Sequence, residues 1–409
     1  MDVLLNNCKN AQKELLKLSN QDRNNMLIKI NEALLNNIDD ILKANKIDLD
    51  NALKNGMSKS MMDRLMLDEK RIKAIAESIM DIKNLPDYIG EVIEELKPKS
   101  KIKIKKIRVP FGVICVIFES RPNVCVDIAV LCIKSANACV LKGGSDAINT
   151  NKALVKIMKN AIKDIVNPDV ITLIESVERK TTDELITKSE YIDLLIPRGS
   201  KGLIKYVVNN AKVPYIETGA GNCHLYVHKD ADINMAIKVA INAKYQRPSV
   251  CNAIETILVD KDIANEFLPV LYNEFNKLNI EMRGCELTRK IIDVNKATED
   301  DYYKEYNDYI VAIKVVNNLD EAIDHINKYS TKHSESIITN DNDAATRFFN
   351  EIDSCSVYHN ASTRFTDGGE FGFGAEIGIA TSKLHARGPM GLREITTYKY
   401  IIEGNGDIR

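Results

Sequence analysis

The sequence predicts a multi-domain α/β protein, and three observations carry that prediction. The chain has 409 residues, more than a single hydrophobic core ordinarily serves. From residue 109 to about residue 360, short β-branched runs alternate with amphipathic helical patterns, the order that builds parallel sheets covered by helices. The composition, 44% hydrophobic and 28% charged, has a globular balance.

The elements follow in order. Residues 1–97 read as helical: proline is absent before Pro86, and Leu15, Leu18, Met26, Ile30, Leu34, Leu35 and Ile38 recur at helical spacing. Ser19 to Asp22 has the composition of a helix start, and Gly56 that of a stop. Residues 101–105 then alternate lysine and isoleucine, a strand with one wet face. Candidate strands lie at 112–118, 138–141, 170–174, 192–196, 255–259, 309–316 and 335–338, with helical patterns at 151–165, 201–210 and 263–279 and a last strand at 395–402. The sequence has neither an internal repeat nor a low-complexity tract.

Charge and cysteine usage exclude several classes. Lys+Arg 56 against Asp+Glu 58 leaves a net charge of −2, so no global field favours nucleic acid or an anionic membrane. The start carries Asp2 where a signal peptide needs basic residues, and Lys9 interrupts any apolar stretch. The most apolar region, 124–141, contains Asp127, Lys134 and Asn137, which does not suit a membrane span. The nine cysteines show no paired spacing, so reduced thiols in a cytoplasm are expected. With no C-x-x-C and no H-E-x-x-H, no metal site is expected.

Three kinds of segment could carry chemistry. A strict G-x-G-x-x-G is missing: Gly219 and Gly221 are followed by His224, and Gly372 and Gly374 by Gly378. Yet Lys142-Gly143-Gly144-Ser145 follows one candidate strand, and Arg198-Gly199-Ser200-Lys201-Gly202 follows another and opens a helix. Such turns either make tight strand-to-helix connections or cradle a phosphate on backbone N–H groups. Among the cysteines, Cys115, Cys125, Cys132 and Cys139 sit in apolar runs as small hydrophobes, and Cys223 follows a glycine turn. Cys251 differs, lying in the polar loop Gln246-Arg247-Pro248-Ser249-Val250-Cys251-Asn252, where Arg247 could depress a thiol pKa. His325 and His333 read as packing or capping groups. The segment His359 to Phe365, with Asn360, Ser362, Thr363 and Arg364, reads either as a small-ligand contact or as an exposed loop.

Taken together, these motifs resemble a known family. Glu119-Ser-Arg121-Pro122-Asn123, Leu141-Lys142-Gly143-Gly144, Glu217-Thr-Gly-Ala-Gly221-Asn222-Cys-His224, Cys251-Asn-Ala-Ile-Glu255 and Phe371-Gly-Phe-Gly-Ala-Glu376-Ile-Gly378 are similar to those of the gamma-glutamyl phosphate reductases, within the aldehyde dehydrogenase superfamily. The most specific stretch runs from Val316 through Ala322, His325, Tyr329, His333, Ser334 and Glu335 to Ile337, and the resemblance covers essentially the whole chain.

The resemblance implies that L-glutamyl 5-phosphate and NADPH give L-glutamate 5-semialdehyde, phosphate and NADP+, the second step from glutamate to proline. Cys251 would be the nucleophile and would carry a thioester, with its own backbone N–H among the oxyanion donors. Arg121, Asn123, Arg247 and Asn252 would serve substrate or departing phosphate. Lys142, Gly143, Gly144, Ser145, Arg198, Gly199 and Ser200 would hold the cofactor. Glu217 aligns with a water-activating glutamate that a reductase does not need, and would touch the cofactor instead. The superfamily's oxyanion asparagine falls ambiguously, on Glu119 by an ungapped count or on Asn123 with a gap.

The implied architecture is an aldehyde dehydrogenase-like α/β fold: a parallel-sheet cofactor domain at 1–97 and 109–225, a catalytic domain at 226–360, and a β oligomerisation arm at 98–108 and 380–409. A cytoplasmic homo-oligomer follows, with a glutamate kinase as a partner that would hand over the labile acyl phosphate. An oxidising or CoA-acylating dehydrogenase and a non-catalytic scaffold are the competing expectations.

Overall fold

Ser19 opens its helix as the composition predicts. Its hydroxyl accepts the Asp22 N–H at 3.2 Å while the Asp22 carboxylate accepts the Ser19 N–H at 3.0 Å, a reciprocal capping box. That helix, Asn20–Asn36, and the helices Asp2–Leu15, Ile38–Lys54 and Glu69–Asn84 form the N-terminal layer. The third of these stops just before Gly56, at φ +73°. The computed structural model describes residues 1–99, 102–119 and 121–408. Ser100 and Lys101 of the basic strand, Ser120 of the 119–123 motif and Arg409 therefore lie outside the described residues.

The chain divides into two units, Met1–Glu217 with Gly372–Gly378 and Met390–Arg409, and Thr218–Phe371 with Ile379–Pro389. The break falls after Glu217 rather than after residue 225, because Cys223–Val227 is a strand of the second unit's sheet. The second unit also runs past residue 360, through Phe371, and includes the hairpin strands Ile379–Ala380 and Gly388–Pro389. Of the expected arm, the described residues of 98–108 and 390–408 lie in the first unit and 380–389 in the second.

In the first unit a four-stranded parallel sheet has the order Ile171–Leu173, Ala138–Gly143, Val113–Phe118, Leu194–Arg198. The chain winds one way from Val113–Phe118 and then crosses back to Leu194–Arg198. Its topological switch point therefore lies at the C-terminal ends of those two strands, where α/β sheets bind ligands. The helix Pro122–Lys134 is buried almost all round, which explains the most apolar stretch of sequence without a membrane. No helix among the described residues is long and apolar enough to cross one. Its last residue, Lys134, is buried and donates to Asn20 Oδ1 at 3.0 Å, Asn24 Oδ1 at 2.8 Å and the Lys83 carbonyl at 3.1 Å, tying the N-terminal helices to the sheet layer.

Residues 92–96 are a correction. Their glutamates suggest helix, yet Val92–Leu96 is a strand, antiparallel to Lys103–Pro110. The helical region ends before Pro86, and Gly90, at φ +85°, turns the chain. Cross-strand pairing then sets Glu94 opposite Lys106 and Glu95 opposite Lys105, favourable charge pairs that only a β register makes. Thr396–Glu403 completes this three-stranded sheet as the last strand on its other side.

The second unit holds a seven-stranded sheet in the order Asn295–Lys296, Glu281–Gly284, Ile310–Val316, Ile254–Asp260, Cys223–Val227, Ser334–Ile338, Ser356–His359. Every pairing in it is parallel. Helices Ile233–Tyr245 and Lys261–Lys277 cover one face, with Phe267, Leu268, Leu271 and Phe275 in the core. Helices Leu319–Tyr329 and Asn342–Glu351 contribute Ile323, Ile326 and Phe348 to a second core cluster.

Candidate active site

Cys251 lies in the loop between the helix Ile233–Tyr245 and the strand Ile254–Asp260, at the N-terminal edge of the second unit's sheet. It is half-buried, as are Cys285 and Cys355, whereas the other six cysteines are buried. Burial pushes the Cys8 thiol up to about 12 and Cys355 up to about 11, and it raises Cys115, Cys125 and Cys223 as well, while a hydrogen bond with Cys132 and then burial raise Cys139. Those groups stay protonated and unreactive near neutral pH. Cys223 has a supporting job instead: its thiol donates to the Cys251 carbonyl at 3.2 Å.

The loop is gripped from three sides. Gly221 approaches so closely that a Cβ there would fall 1.5 Å from the Cys251 carbonyl oxygen, so this position needs glycine for space. Asn252 is clamped to the turn Thr363–Phe365. Its Nδ2 donates to the carbonyls of Arg364 at 3.3 Å and Thr366 at 2.9 Å, and its own carbonyl accepts from the Thr363 hydroxyl at 2.6 Å. The Arg364 guanidinium reaches back, Nη1 donating to Asn252 Oδ1 and Nε to Gln246 Oε1 at 3.0 Å. Arg364 and Arg247 are close enough to repel, and Arg364 and the Cys251 thiolate close enough to attract.

Beneath the loop sits the stretch that carried the resemblance. Asn222 donates its N–H to the Thr331 hydroxyl at 2.9 Å and its Nδ2 to the carbonyls of Tyr302 and Tyr329 at 2.7 and 2.8 Å. The buried Glu335 carboxylate accepts the His224 N–H at 2.8 Å, lies 3.0 Å from His224 Nδ1 and accepts the Ser330 and Ser354 hydroxyls. His333 Nδ1 stands 3.7 Å from Cys223 Sγ and 2.8 Å from Ser334 Oγ. His325 packs on Tyr302 and Tyr329 with ring centroids 5.0 and 4.3 Å away, and burial drives its pKa down to about 2, so it stays neutral. The two histidines thus belong to a scaffold that fixes the Gly221–His224 segment against Cys251. One grouping of metal-type ligands, His228, Asp230 and Asp341, gathers within 4.8 Å. Lys229 at 2.9 Å from Asp230 and the helix cap formed by Asp341 already engage its carboxylates.

In the first unit the expected cofactor residues line the C-terminal edge of the parallel sheet, Lys142 and Gly143 in register with Ile117 and Phe118. Lys142 is 4% exposed, reaches only the Gly143 carbonyl at 3.2 Å and pairs with no carboxylate among the described residues. Burial lowers its pKa. A nearly buried ammonium with no carboxylate partner among the described residues, at the C-terminal edge of a parallel sheet, fits the phosphate or ribose of a dinucleotide. At the neighbouring strand end, Ser200 caps the helix Lys201–Asn210. The open N-terminus expected there is met by Glu119, whose carboxylate accepts the Ser200 N–H at 2.7 Å and lies 3.3 Å from Ser200 Oγ. Asn123 turns its amide to its own helix, donating to Asp127 Oδ2 at 3.1 Å. Burial pushes Asp127 up to about 6, with Arg198 nearby opposing the rise. Arg121 stands at the N-cap of Pro122–Lys134, and Glu217 is the last residue before the break between units.

The sites expected from sequence therefore fall into two sets, Lys142–Ser145, Arg198–Ser200, Arg121 and Asn123 in one unit and Cys251, Asn252 and Arg247 in the other. Sequence reasoning named Arg364 only within a polar segment and Glu119 only as an ungapped match to the oxyanion asparagine, and it missed the grip of Gly221 and Cys223. Arg364 lies 112 positions from Asn252, and only its polar, short segment hinted at a ligand.

The family model described as "Aldehyde dehydrogenase family" matches residues 1–290 and 302–401. The gamma-glutamyl phosphate reductase of Clostridium perfringens is 53% identical over 403 residues, 98% of this chain and 97% of that protein. That of Dictyoglomus thermophilum is 53% identical over 414 residues, covering both chains completely. The crystal structure of the Thermotoga maritima gamma-glutamyl phosphate reductase superposes with a TM-score of 0.96 at 48% identity, over 99% of each chain. An acetylating aldehyde dehydrogenase from Geobacillus thermoglucosidasius shares the fold, at 16% identity and a TM-score of 0.72. The chain belongs to the aldehyde dehydrogenase family, and within it to the gamma-glutamyl phosphate reductases.

Proposed function

We propose that the protein reduces L-glutamyl 5-phosphate to L-glutamate 5-semialdehyde with NADPH, releasing phosphate, through a thioester on Cys251. The observation that carries this reading is full-length identity above 50% to gamma-glutamyl phosphate reductases, joined to a polar loop that presents the half-buried Cys251 near Arg364 and Arg247. The Cys251 thiolate, favoured by those cations, attacks the acyl carbon. The developing oxyanion needs a donor such as the Cys251 backbone N–H, and loss of such a donor costs about 10²–10³ in rate. Gly221, Cys223 and Asn252 hold the loop for that attack, while Arg121 and Arg247 meet anionic oxygens of the substrate.

Lys142, Gly143, Gly144 and Ser145, with Arg198, Gly199 and Ser200, would hold NADPH, which supplies the hydride when bound. The buried Lys142 ammonium supports a cofactor carrying an extra phosphate. Glu217 faces no hydrolytic duty in this chemistry and serves the cofactor. The two units are then a cofactor domain and a catalytic domain in a cytoplasmic enzyme. The strand Thr396–Glu403, which leaves Tyr398, Tyr400, Ile401 and Ile402 exposed, would pair into a homo-oligomer and cover an otherwise open edge.

The test is NADP+ reduction by L-glutamate 5-semialdehyde with and without inorganic phosphate. Turnover that requires phosphate is expected. Phosphate-independent turnover would favour the hydrolytic dehydrogenase, and turnover that requires CoA would favour the acylating one.

A further inference from the structure

Arg364 is a half-buried guanidinium with no ion pair among the described residues. Its hydrogen bonds go to two neutral amide oxygens, Asn252 Oδ1 and Gln246 Oε1. Those residues bracket the loop that carries Cys251, one directly after it and one five positions before. A guanidinium spends its full strength only on an anion that its planar donors can meet side by side. Here Nη2 has no protein acceptor among the described residues, so donor capacity remains. Asp367 and Glu370 attract the group from beyond ion-pair distance, and Arg247 repels it. Arg364 therefore keeps a positive charge near the Cys251 thiol that no ion pair among the described residues offsets.

We propose that Arg364 binds the phosphoryl group of the acyl-phosphate substrate and also holds the two ends of the Cys251 loop together. The inference rests on the acyl-phosphate reading above. The substrate's other anionic group is its α-carboxylate, but the phosphoryl group is bonded through one oxygen to the carbon that Cys251 attacks, so a cation beside Cys251 meets the phosphoryl group first. In the step it serves, the Cys251 Sγ–carbon bond forms and the carbon–oxygen bond to phosphate breaks, the electron pair leaving on that oxygen. The thiol proton given up beforehand is balanced by the proton that phosphate takes on release as HPO4 2−. Nothing is oxidised in this step. Arg364 offsets charge that accumulates on the leaving oxygen, worth more in a partly desolvated site than in water.

The experiment measures the reverse reaction with varied inorganic phosphate and varied semialdehyde for the intact chain, Arg364→Gln and Arg364→Lys. It also measures the pH profile of Cys251 alkylation by iodoacetamide and the NADPH Kd by fluorescence. Arg364→Gln is expected to raise the KM for phosphate at least tenfold, leave the KM for semialdehyde within about twofold and move the alkylation profile to higher pH. Arg364→Lys, which keeps a charge but cannot bridge both amides, should restore part of the phosphate affinity. An unchanged NADPH Kd in both variants shows that they fold. An unchanged KM for phosphate would overturn the proposal, and a rise confined to the KM for semialdehyde would reassign Arg364 to the α-carboxylate and overturn it too. If the intact chain itself turns over without phosphate, the acyl-phosphate reading fails first and this inference with it.

Discussion

Gly221 and Cys251 are in backbone contact: a Cβ built on Gly221 would lie 1.5 Å from the Cys251 carbonyl oxygen and 2.6 Å from its Cα. No side-chain rotation relieves that overlap, because both partners are main chain. Gly221→Ala must therefore push the Cys251 loop away from its seat. A displacement near 1 Å at a reacting group costs about 10²-fold in rate. We expect a fall in kcat of that size with the NADPH Kd unchanged, measured by steady-state kinetics and fluorescence titration. Near-normal kcat would show that the loop's position is not critical.

A second expectation concerns the ion pair under the same loop. Lys244 Nζ lies 2.5 Å from Glu255 Oε2, both side chains fully buried, and Glu255 Oε1 accepts the Asn307 N–H at 3.3 Å. Burial raises the Glu255 pKa and Lys244 pulls it back down, so its charge depends on that partner. Lys244→Met leaves an uncompensated buried acid and should cost about 3–5 kcal/mol, read by urea unfolding. The double variant Lys244→Met/Glu255→Leu should recover much of the loss, because an apolar pair of similar volume replaces a buried ionic one without a stranded charge.

Much of this architecture is legible in the sequence, and the exceptions have physical reasons. Strands built from β-branched runs stand out because burial on both faces makes them continuously apolar, as in Val113–Phe118, or nearly so, as in Ile310–Val316 with its single Lys314. Cys223–Val227 escapes notice because its histidine and tyrosine interrupt such a run, although His224 Nδ1 meets Glu335 and the Tyr226 hydroxyl meets Asp260 inside the core. Val92–Leu96 hides behind helix-favouring glutamates whose partners are lysines on another strand. Cys251 is visible as an odd polar-loop cysteine. Arg364 is not, since its tie to Asn252 spans 112 positions and no local pattern encodes a tertiary contact.

Glu119 yields the next expectation. Its carboxylate caps the helix start at Ser200, where a cofactor's pyrophosphate would lie. A negative group there repels a bound anion while it orders the turn. Glu119→Gln keeps an oxygen acceptor for the Ser200 N–H and removes the charge. NADPH should then bind several-fold tighter at low salt, with the gain fading as salt rises. Weaker binding at low salt would instead mean that the carboxylate is needed to shape the turn.

The Asp127 carboxyl gives a pH dependence with a definite sign. Its ordinary value of 3.8 is raised to about 6 in the folded chain, chiefly by burial. Between these values the folded protein holds a proton that the unfolded chain has released, so this group's contribution to stability declines as pH rises from about 4 to 6. Above 6 the ionised carboxylate carries its full desolvation cost. Asp127→Asn should therefore melt higher than the intact protein at pH 7, with the difference shrinking to nothing below pH 4. A difference independent of pH would contradict the assignment.

The central claim is that Cys251 carries the acyl group. The most direct measurement mixes the protein with NADP+ and L-glutamate 5-semialdehyde in phosphate-free buffer, follows NADPH within the first turnover and maps any adduct by peptide mass spectrometry. A burst of about one NADPH per chain, a glutamyl adduct on the peptide containing Cys251, and loss of both in Cys251→Ala are expected, with added phosphate discharging the adduct. Steady turnover without phosphate, or an adduct on any other cysteine, would contradict the claim.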